Sequence, residues 1–415
     1  MIHSAGMLIF EHGIMHCMAS KHVSNKKQRG QFFTAEADYI LQGFEKFIVG
    51  KKVSDPFAGS GDLLRWAKEN GARSVKGFEI DSQLADSKHI FLNDSLLNPK
   101  TYDFVVTNPP YLNVNKADKN TKEKYFRKHQ FEDLYQLSLA AIMDSEEGIV
   151  IVPINFLSAF NARGIRNLFF SKFEMDRMNY FRHQVFPDTT YNVIAFHYVR
   201  KRPGARGNFS IKTHIFPEGE RVSVELKQIF NWTIGGDIYE KLKDQKNILG
   251  IHRLVEDHIH DHRGRTPLRG SYNHVKVPHV AYVSEEFARR VQSNIMLLRA
   301  IDGGSESSRM GIDDIRQYGI KCLVSKPTSR HMIQLIAEQA IPLDEQKILI
   351  DRFNQELSEL RKRHLSLFLT NYRDKDRKRI SFDFVYKLLN YLYVRDIAPQ
   401  SRYESMGTKK LNFGQ

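Results

Sequence analysis

Between Lys52 and Arg200 the chain alternates short runs of β-branched and aromatic residues with stretches of helical spacing, and few architectures other than a doubly wound parallel sheet satisfy that alternation. The pattern predicts strands over 52–55, 74–79, 89–93, 102–107, 148–152 and 192–199. It predicts helices over 62–70, stopped by Gly71, and over about 133–143. The last strand runs into Arg200-Lys201-Arg202-Pro203-Gly204, which reads as a linker.

Beyond that linker the pattern changes to short alternating segments rich in His and Arg, followed by a long helical run over 343–370. Leu343, Ile350, Leu357 and Leu360 fall on one face of that run, which reads as scaffold. Its entry, Ile341-Pro342-Leu343-Asp344-Glu345-Gln346, has a faint likeness to a helix entry in DNA-specificity subunits. A length of 415 residues also suits two domains. The expected division is an N-terminal extension 1–28, a first domain 29–202 and a second domain 203–415.

Apolar residues make up 41% and charged residues 27%, and no apolar run approaches the roughly 18 residues of a membrane span, so a soluble, cytoplasmic protein is expected. Cys17 and Cys322 lie too far apart for a C-x-x-C site, which argues against a disulfide framework or a zinc site and for a reducing compartment. Residues 1–17 show no export signal, and Met7 and Met15 within them suggest a start site further downstream. The net charge of +14 points to a polyanionic partner. Residues 201–415 hold 37 Lys+Arg against 26 Asp+Glu, a net +11 that leaves +3 for residues 1–200, so the second half is the better candidate for holding nucleic acid. The alternative is a basic surface that is simply well solvated.

Asp55-Pro56-Phe57-Ala58-Gly59-Ser60-Gly61-Asp62 follows the first strand and opens the first helix, at the carboxyl end of the sheet where open α/β folds bind ligands. Two glycines there let backbone approach a ligand closely. Glu79, at the end of the second strand, can accept both ribose hydroxyls of an adenosine cofactor. A dinucleotide site is the competing reading, and the missing third glycine speaks against it; a tight turn without a ligand is the plainer one.

Asn108-Pro109-Pro110-Tyr111 comes directly after the fourth strand. Two prolines remove two backbone donors and stiffen the turn, leaving oxygens that accept hydrogen bonds. The Asn108 side-chain oxygen and the Pro109 carbonyl suit an NH2 group, keeping electron density on its nitrogen while it attacks a methyl sulfonium. Tyr111 offers a ring on which a planar base can stack.

With these two loops in this order the chain resembles the amino-methyltransferases, in particular the gamma-type N6-adenine DNA methyltransferases of restriction-modification systems, over roughly residues 29–200. The resemblance implies a Rossmann-like class I methyltransferase fold with a mostly parallel seven-stranded sheet, its last strand antiparallel, followed by a mixed α/β target-recognition domain. It implies S-adenosylmethionine as cofactor, double-stranded DNA as partner, a cognate restriction endonuclease as companion and no metal. Asn108, Pro109, Pro110 and Tyr111 take the catalytic place. Gly30-Gln31-Phe32-Phe33-Thr34 matches the segment holding the cofactor's methionine carboxylate, a role that falls to Thr34, with Ala35 in place of the family's usual proline. Asp55, Phe57, Ala58, Gly59 and Gly61 match the cofactor loop, and Glu79 with Ile80 the ribose site. Asp94 with Ser95 matches the contact to the cofactor's adenine amino group; an Asx turn closing the third strand is the other reading of Asp94.

Val185-Phe186-Pro187-Asp188-Thr189-Thr190-Tyr191-Asn192-Val193 resembles the family's late motif, in which an aromatic packs on the extruded base; Phe186 and Tyr191 both qualify, and core packing is the alternative for each. The same N-P-P-Y loop also serves enzymes that methylate cytosine N4, guanine N2 in RNA or a protein glutamine, and a non-catalytic nucleic-acid-binding protein could keep the scaffold. Asp257-His258-Ile259-His260-Asp261-His262 could hold a divalent metal if extended. Arg263, Arg265 and Arg269 follow at once, so a basic loop touching DNA is the more economical expectation. The run 373–379 reads as solvated surface, with phosphate contact as its alternative.

Overall fold

The computed structural model describes residues 34, 36–127, 130–186, 191–205, 207–302, 309–373 and 377–398. Strands β1 (Lys52–Asp55), β2 (Ser74–Glu79), β3 (Ile90–Leu92), β4 (Tyr102–Thr107), β5 (Ser145–Pro153), β6 (Phe173–Phe181), β7 (Val193–Arg200), β8 (Phe209–Phe216) and β9 (Glu220–Leu226) form one sheet. Their order is β3-β2-β1-β4-β5-β7-β6-β8-β9. β1 to β5 pair in parallel, β7 runs antiparallel between β5 and β6, and β8 lies parallel to β6. The first seven strands in that order, with β7 reversed, are the Rossmann-like class I methyltransferase sheet. The winding direction changes between β1 and β4, so the turns leaving their carboxyl ends flank the crevice of the sheet.

Both faces are apolar. Ile40, Phe44, Ile48, Leu63 and Trp66 pack on Val53, Phe104, Val106, Ile149 and Ile151 from one side. Phe156, Phe169, Phe170 and Phe173 stack about Phe196 and Tyr198 on the other. Such two-sided burial explains why β4, β5 and β7 read as continuous apolar runs.

Two parts of this sheet depart from the sequence expectation. β6 carries Glu174, Asp176 and Arg177, which break its apolar pattern, and its register shifts between Met175 and Arg177. The presumed linker 200–204 ends in a turn at Gly204 (φ 77°), from which β8 and β9 extend the sheet. Two compact units accordingly divide between Ile234 and Gly235, past the division expected at 202/203.

Asp176 and Glu147 are brought to opposite nitrogens of the buried His197 imidazole, at 2.6 Å from Nδ1 and 3.0 Å from Nε2. Phe47 stacks on that ring at 3.8 Å between centroids, and Lys51 pairs with Glu147. Burial opposes the imidazolium charge, but the two carboxylates outweigh it and hold the His197 pKa above its usual 6.5. Burial likewise opposes ionisation of Glu147 and Asp176, and the bonds from their cationic partners hold both below the usual 4.5 and 3.8. A raised histidine stabilises below its unfolded pKa and loses that contribution as pH rises through the folded one; the depressed acids stabilise above their unfolded values and lose it as pH falls through the folded ones. Thermal melts of the wild type and His197→Gln should therefore differ most between about pH 5 and 6.5 and converge on the alkaline side. A constant difference from pH 5 to 9 would show that the charge contributes nothing.

The second unit is mixed α/β. An antiparallel sheet orders His252–Arg253, Met332–Ile336, Met296–Arg299 and Gly311–Asp314, and a hairpin of Arg263–Tyr272 and His274–Val283 pairs with Leu323–Val324. Helices Leu343–His364 and Phe382–Asp396 supply much of its core. The long helix ends before the expected 370, because Leu365 and Ser366 take left-handed backbone (φ 53° and 60°). Ile350, Leu357 and Leu360 of its anticipated face are buried with Leu349 and Phe353, whereas Leu343 stays 43% exposed at its start.

Candidate active site

The turn after β1 is built by its own side chains. Asp55 is buried, and its Oδ1 accepts from the Phe57 amide at 2.9 Å and the Thr107 hydroxyl at 2.6 Å, tying the ends of β1 and β4 together. Burial pushes its pKa up to about 7, with Glu79 adding to the rise and the Thr107 and Phe57 hydrogen bonds opposing it. Gly59 (φ 52°) and Gly61 (φ 81°) occupy left-handed backbone as the chain enters helix Asp62–Glu69. Glu79, also buried, spans the mouth of the turn, accepting from the amides of Gly59 and Asp81, each at 2.9 Å.

Gly77 was not singled out in the sequence, yet a Cβ there would lie 2.7 Å from both Ala58 Cβ and Leu64 Cδ1. Its bareness is what lets the turn pack on β2. Thr107 was missed as well; a strand-ending hydroxyl next to Asn108 was the available signal. Phe57 and Ile80 are half-buried beside the turn, and Ala58 is buried.

At the end of β4, Asn108 is 7% exposed. Its Nδ2 donates to Thr34 Oγ1 at 3.1 Å, and its Oδ1 lies 2.6 Å from the Tyr111 hydroxyl. The same hydroxyl lies 2.9 Å from the Ile151 carbonyl on β5. The fold thus brings Thr34, Asn108 and Tyr111 into one buried chain. Pro109 is buried and Pro110 half-buried. Tyr135, on helix Leu134–Ala141, stands edge-on to Tyr111 at 6.4 Å and 87°. Burial first, then Tyr135, raises the Tyr111 pKa well above 10, so its hydroxyl stays a donor. Tyr135 was not singled out in the sequence, where its helix was read only as the element leading into β5.

Asp94 closes β3 with the Asx turn, its Oδ1 facing the amides of Leu96 and Leu97 at 3.2 and 3.4 Å. Its Oδ2 accepts from Tyr125 Oη at 2.9 Å and pairs with Lys124 Nζ at 2.8 Å. Both partners sit on a π-helical turn, Lys122–Phe126, downstream of the N-P-P-Y loop. Ser95 is buried and bonded to Asn93.

Phe186, 2% exposed, packs in the core with Phe181 and Val193, while Tyr191 is half-buried. Gly30 to Phe33, Ala35, Pro187 to Thr190 and Cys17 lie outside the described residues. So does 374–376 in the basic run, in which Lys378 is buried.

In the second unit Asp257 to Asp261 belong to helix Glu256–Asp261 rather than to an extended segment. Among the described residues no cluster of three metal-ligating side chains occurs, and no helix is long and apolar enough to cross a membrane. Arg263, Arg265 and Arg269, expected on a loop, lie exposed on a strand: Arg269 alternates with the buried Leu268, and Arg263 and Arg265 stand where the register shifts.

Sheet order, glycine turn and N-P-P-Y loop together define a class I methyltransferase fold. Residues 41–186, which contain both loops, match the Eco57I restriction-modification methylase family. Three solved structures show likeness. A modification subunit of a type I restriction enzyme from Vibrio vulnificus YJ016 has 17% identity and a TM-score of 0.37, over 59% of this chain and 58% of that one. The type I restriction-modification methyltransferase subunit from Streptococcus thermophilus has 17% identity and a TM-score of 0.33, over 44% and 47%. The type IIG restriction endonuclease BpuSI has 12% identity and a TM-score of 0.41, over 85% and 59%. The chain spans 58% of the length of the Vibrio subunit it matches. No curated protein matches it.

Proposed function

We propose that this chain is an S-adenosylmethionine-dependent methyltransferase acting on adenine N6 in duplex DNA, with residues 235–415 recognising the target and a cognate restriction endonuclease as companion. The observation that carries the reading is the hydrogen-bonded chain Thr34–Asn108–Tyr111, which sets the acceptor of a target amino group beside a cofactor contact.

The residues present fit the cofactor. Gly59 and Gly61 leave room at the turn, where Asp55 and Glu79 are buried, and Asp94 closes the neighbouring β3. S-adenosylmethionine supplies an electrophilic methyl group on a sulfonium. Glu79 would take the ribose hydroxyls, Thr34 the carboxylate end and Asp94 the adenine amino group. Asn108 Oδ1 and the Pro109 carbonyl accept the two hydrogens of the target NH2 and direct its lone pair at the methyl carbon, so positioning supplies most of the rate. An adenine inside a duplex cannot reach Asn108; it must be flipped out, and stacking on Tyr111 or Tyr191 offsets part of the few kcal/mol of unstacking. Arg263, Arg265 and Arg269 contact the DNA.

The test is incubation with labelled S-adenosylmethionine and duplexes of varied sequence, then mass spectrometry of the nucleosides. N6-methyladenine in a fixed context is expected. N4-methylcytosine, label only in RNA or protein, or no transfer at all would each replace this reading.

A further inference from the structure

The hairpin of Arg263–Tyr272 and His274–Val283 turns at Asn273 (φ 57°), and residues 263–283 contain three Arg, one Lys and two His but no Asp or Glu. Of the acids flanking it, Glu285 and Glu286 pair with Arg289 and Arg290 on their own helix, Glu256 accepts the hairpin's Tyr272 hydroxyl at 2.6 Å, and Asp257 and Asp261 lie on helix Glu256–Asp261. One face of the hairpin is core, where Leu268, Ala281 and Val283 pack with Leu254 and Phe287. Leu268 sits opposite Ala281, so the pairs on either side of it, Pro267 with Tyr282 and Arg269 with Val280, face the other way. All four are exposed, Tyr282 by 61% and Val280 by 43%; Val277, in the stretch 275–277 that the second register shift leaves without cross-strand partners near the turn, is exposed by 49%. The register shift between Arg263 and Thr266 is a bulge that turns the base of the hairpin aside.

Resting on the DNA reading above, we infer that this hairpin is a two-stranded ribbon that enters the major groove of the target duplex. Arg269, Val277, Val280 and Tyr282 meet base edges, while Arg263 and Arg265 at the bulge meet phosphates. The charge fits: a strand pair with cations and no carboxylate suits a polyanion. The chemistry of the outward row fits as well, since arginine reads guanine and apolar side chains touch the thymine methyl. A groove about 12 Å wide admits such a ribbon. Addition of a second copy along this edge is disfavoured by Pro278, which lacks the amide a new ladder would use, and by Lys276.

The test uses the full chain and a library of duplexes, scored for affinity, base preference and salt dependence, with cofactor calorimetry as a check on folding. Val277→Ser, Val280→Ser and Tyr282→Ser combined should flatten base preference by about tenfold at one or more positions with the salt slope unchanged, and Arg269→Ala should relax one position by itself. Arg263→Ala with Arg265→Ala should weaken all duplexes alike and reduce the slope of log K on log salt by about 1.8. A folded triple variant and a folded Arg269→Ala that both keep wild-type preference would overturn the ribbon. So would a wild-type dimer that the triple variant dissolves, which would make the row a contact between copies. If the wild type binds no duplex at all, the DNA reading itself fails and the ribbon with it.

Discussion

Asn108→Ala should lower methyl transfer by about 10³-fold, the scale lost when one positioned hydrogen-bonding group is removed from a reacting centre. Deletion of the amide takes away the acceptor that orients the target nitrogen, and the Pro109 carbonyl alone cannot fix both hydrogens. Because Asn108 also donates to Thr34, cofactor affinity should fall too, by no more than about tenfold, the worth of one neutral hydrogen bond. Thr34→Val, which removes this bond and the proposed carboxylate contact but leaves the Asn108 acceptor in place, should lower cofactor affinity and spare the rate at saturating cofactor. Single-turnover rates with saturating cofactor and DNA, beside calorimetric affinities, measure both. An Asn108→Ala enzyme within tenfold of wild-type rate would refute the role assigned to this loop.

Glu79→Ala should act on the cofactor first. Its carboxylate closes the glycine turn through two backbone amides, so removal both deletes the ribose acceptor and leaves the Gly59 and Asp81 donors to find new partners in a buried place. A loss of about 1.5 to 3 kcal/mol, the range for hydrogen bonds to a charged group, corresponds to roughly 10- to 150-fold in affinity. Glu79→Gln keeps one acceptor oxygen and should fall between. Transfer at saturating cofactor should be affected far less than in Asn108→Ala. Unchanged calorimetric affinity would remove Glu79 from the ribose role, and a lower melting temperature alone would leave it only the closing of the turn.

The two loops and the first five strands were legible because each is a local pattern: an apolar run, a glycine pair, a proline pair. What was not legible depends on partners distant in sequence. β6 looks too charged for a buried strand until His197 arrives to take Asp176, and Gly77 looks incidental until Ala58 and Leu64 are seen against it. Asp94 illustrates the same limit. Its place at the end of β3 could be read, but Lys124 and Tyr125 reach it from a segment whose sequence says nothing of where it folds. The three arginines were found by type and misassigned to a loop, because Thr266, Pro267 and Gly270 interrupt the alternation that marks a strand.

The Tyr111 hydroxyl carries one hydrogen and faces two acceptors, Asn108 Oδ1 at 2.6 Å and the Ile151 carbonyl at 2.9 Å. An incoming amino group that donates to Asn108 would displace that hydrogen, and a simple rotation delivers it to Ile151. The exchange swaps one hydrogen bond for another without moving the backbone or stranding a polar atom away from water. On the function proposed above, a target would thus be admitted and a product released at almost no reorganisation cost, with the tyrosine as a rotary latch on the mouth of the loop.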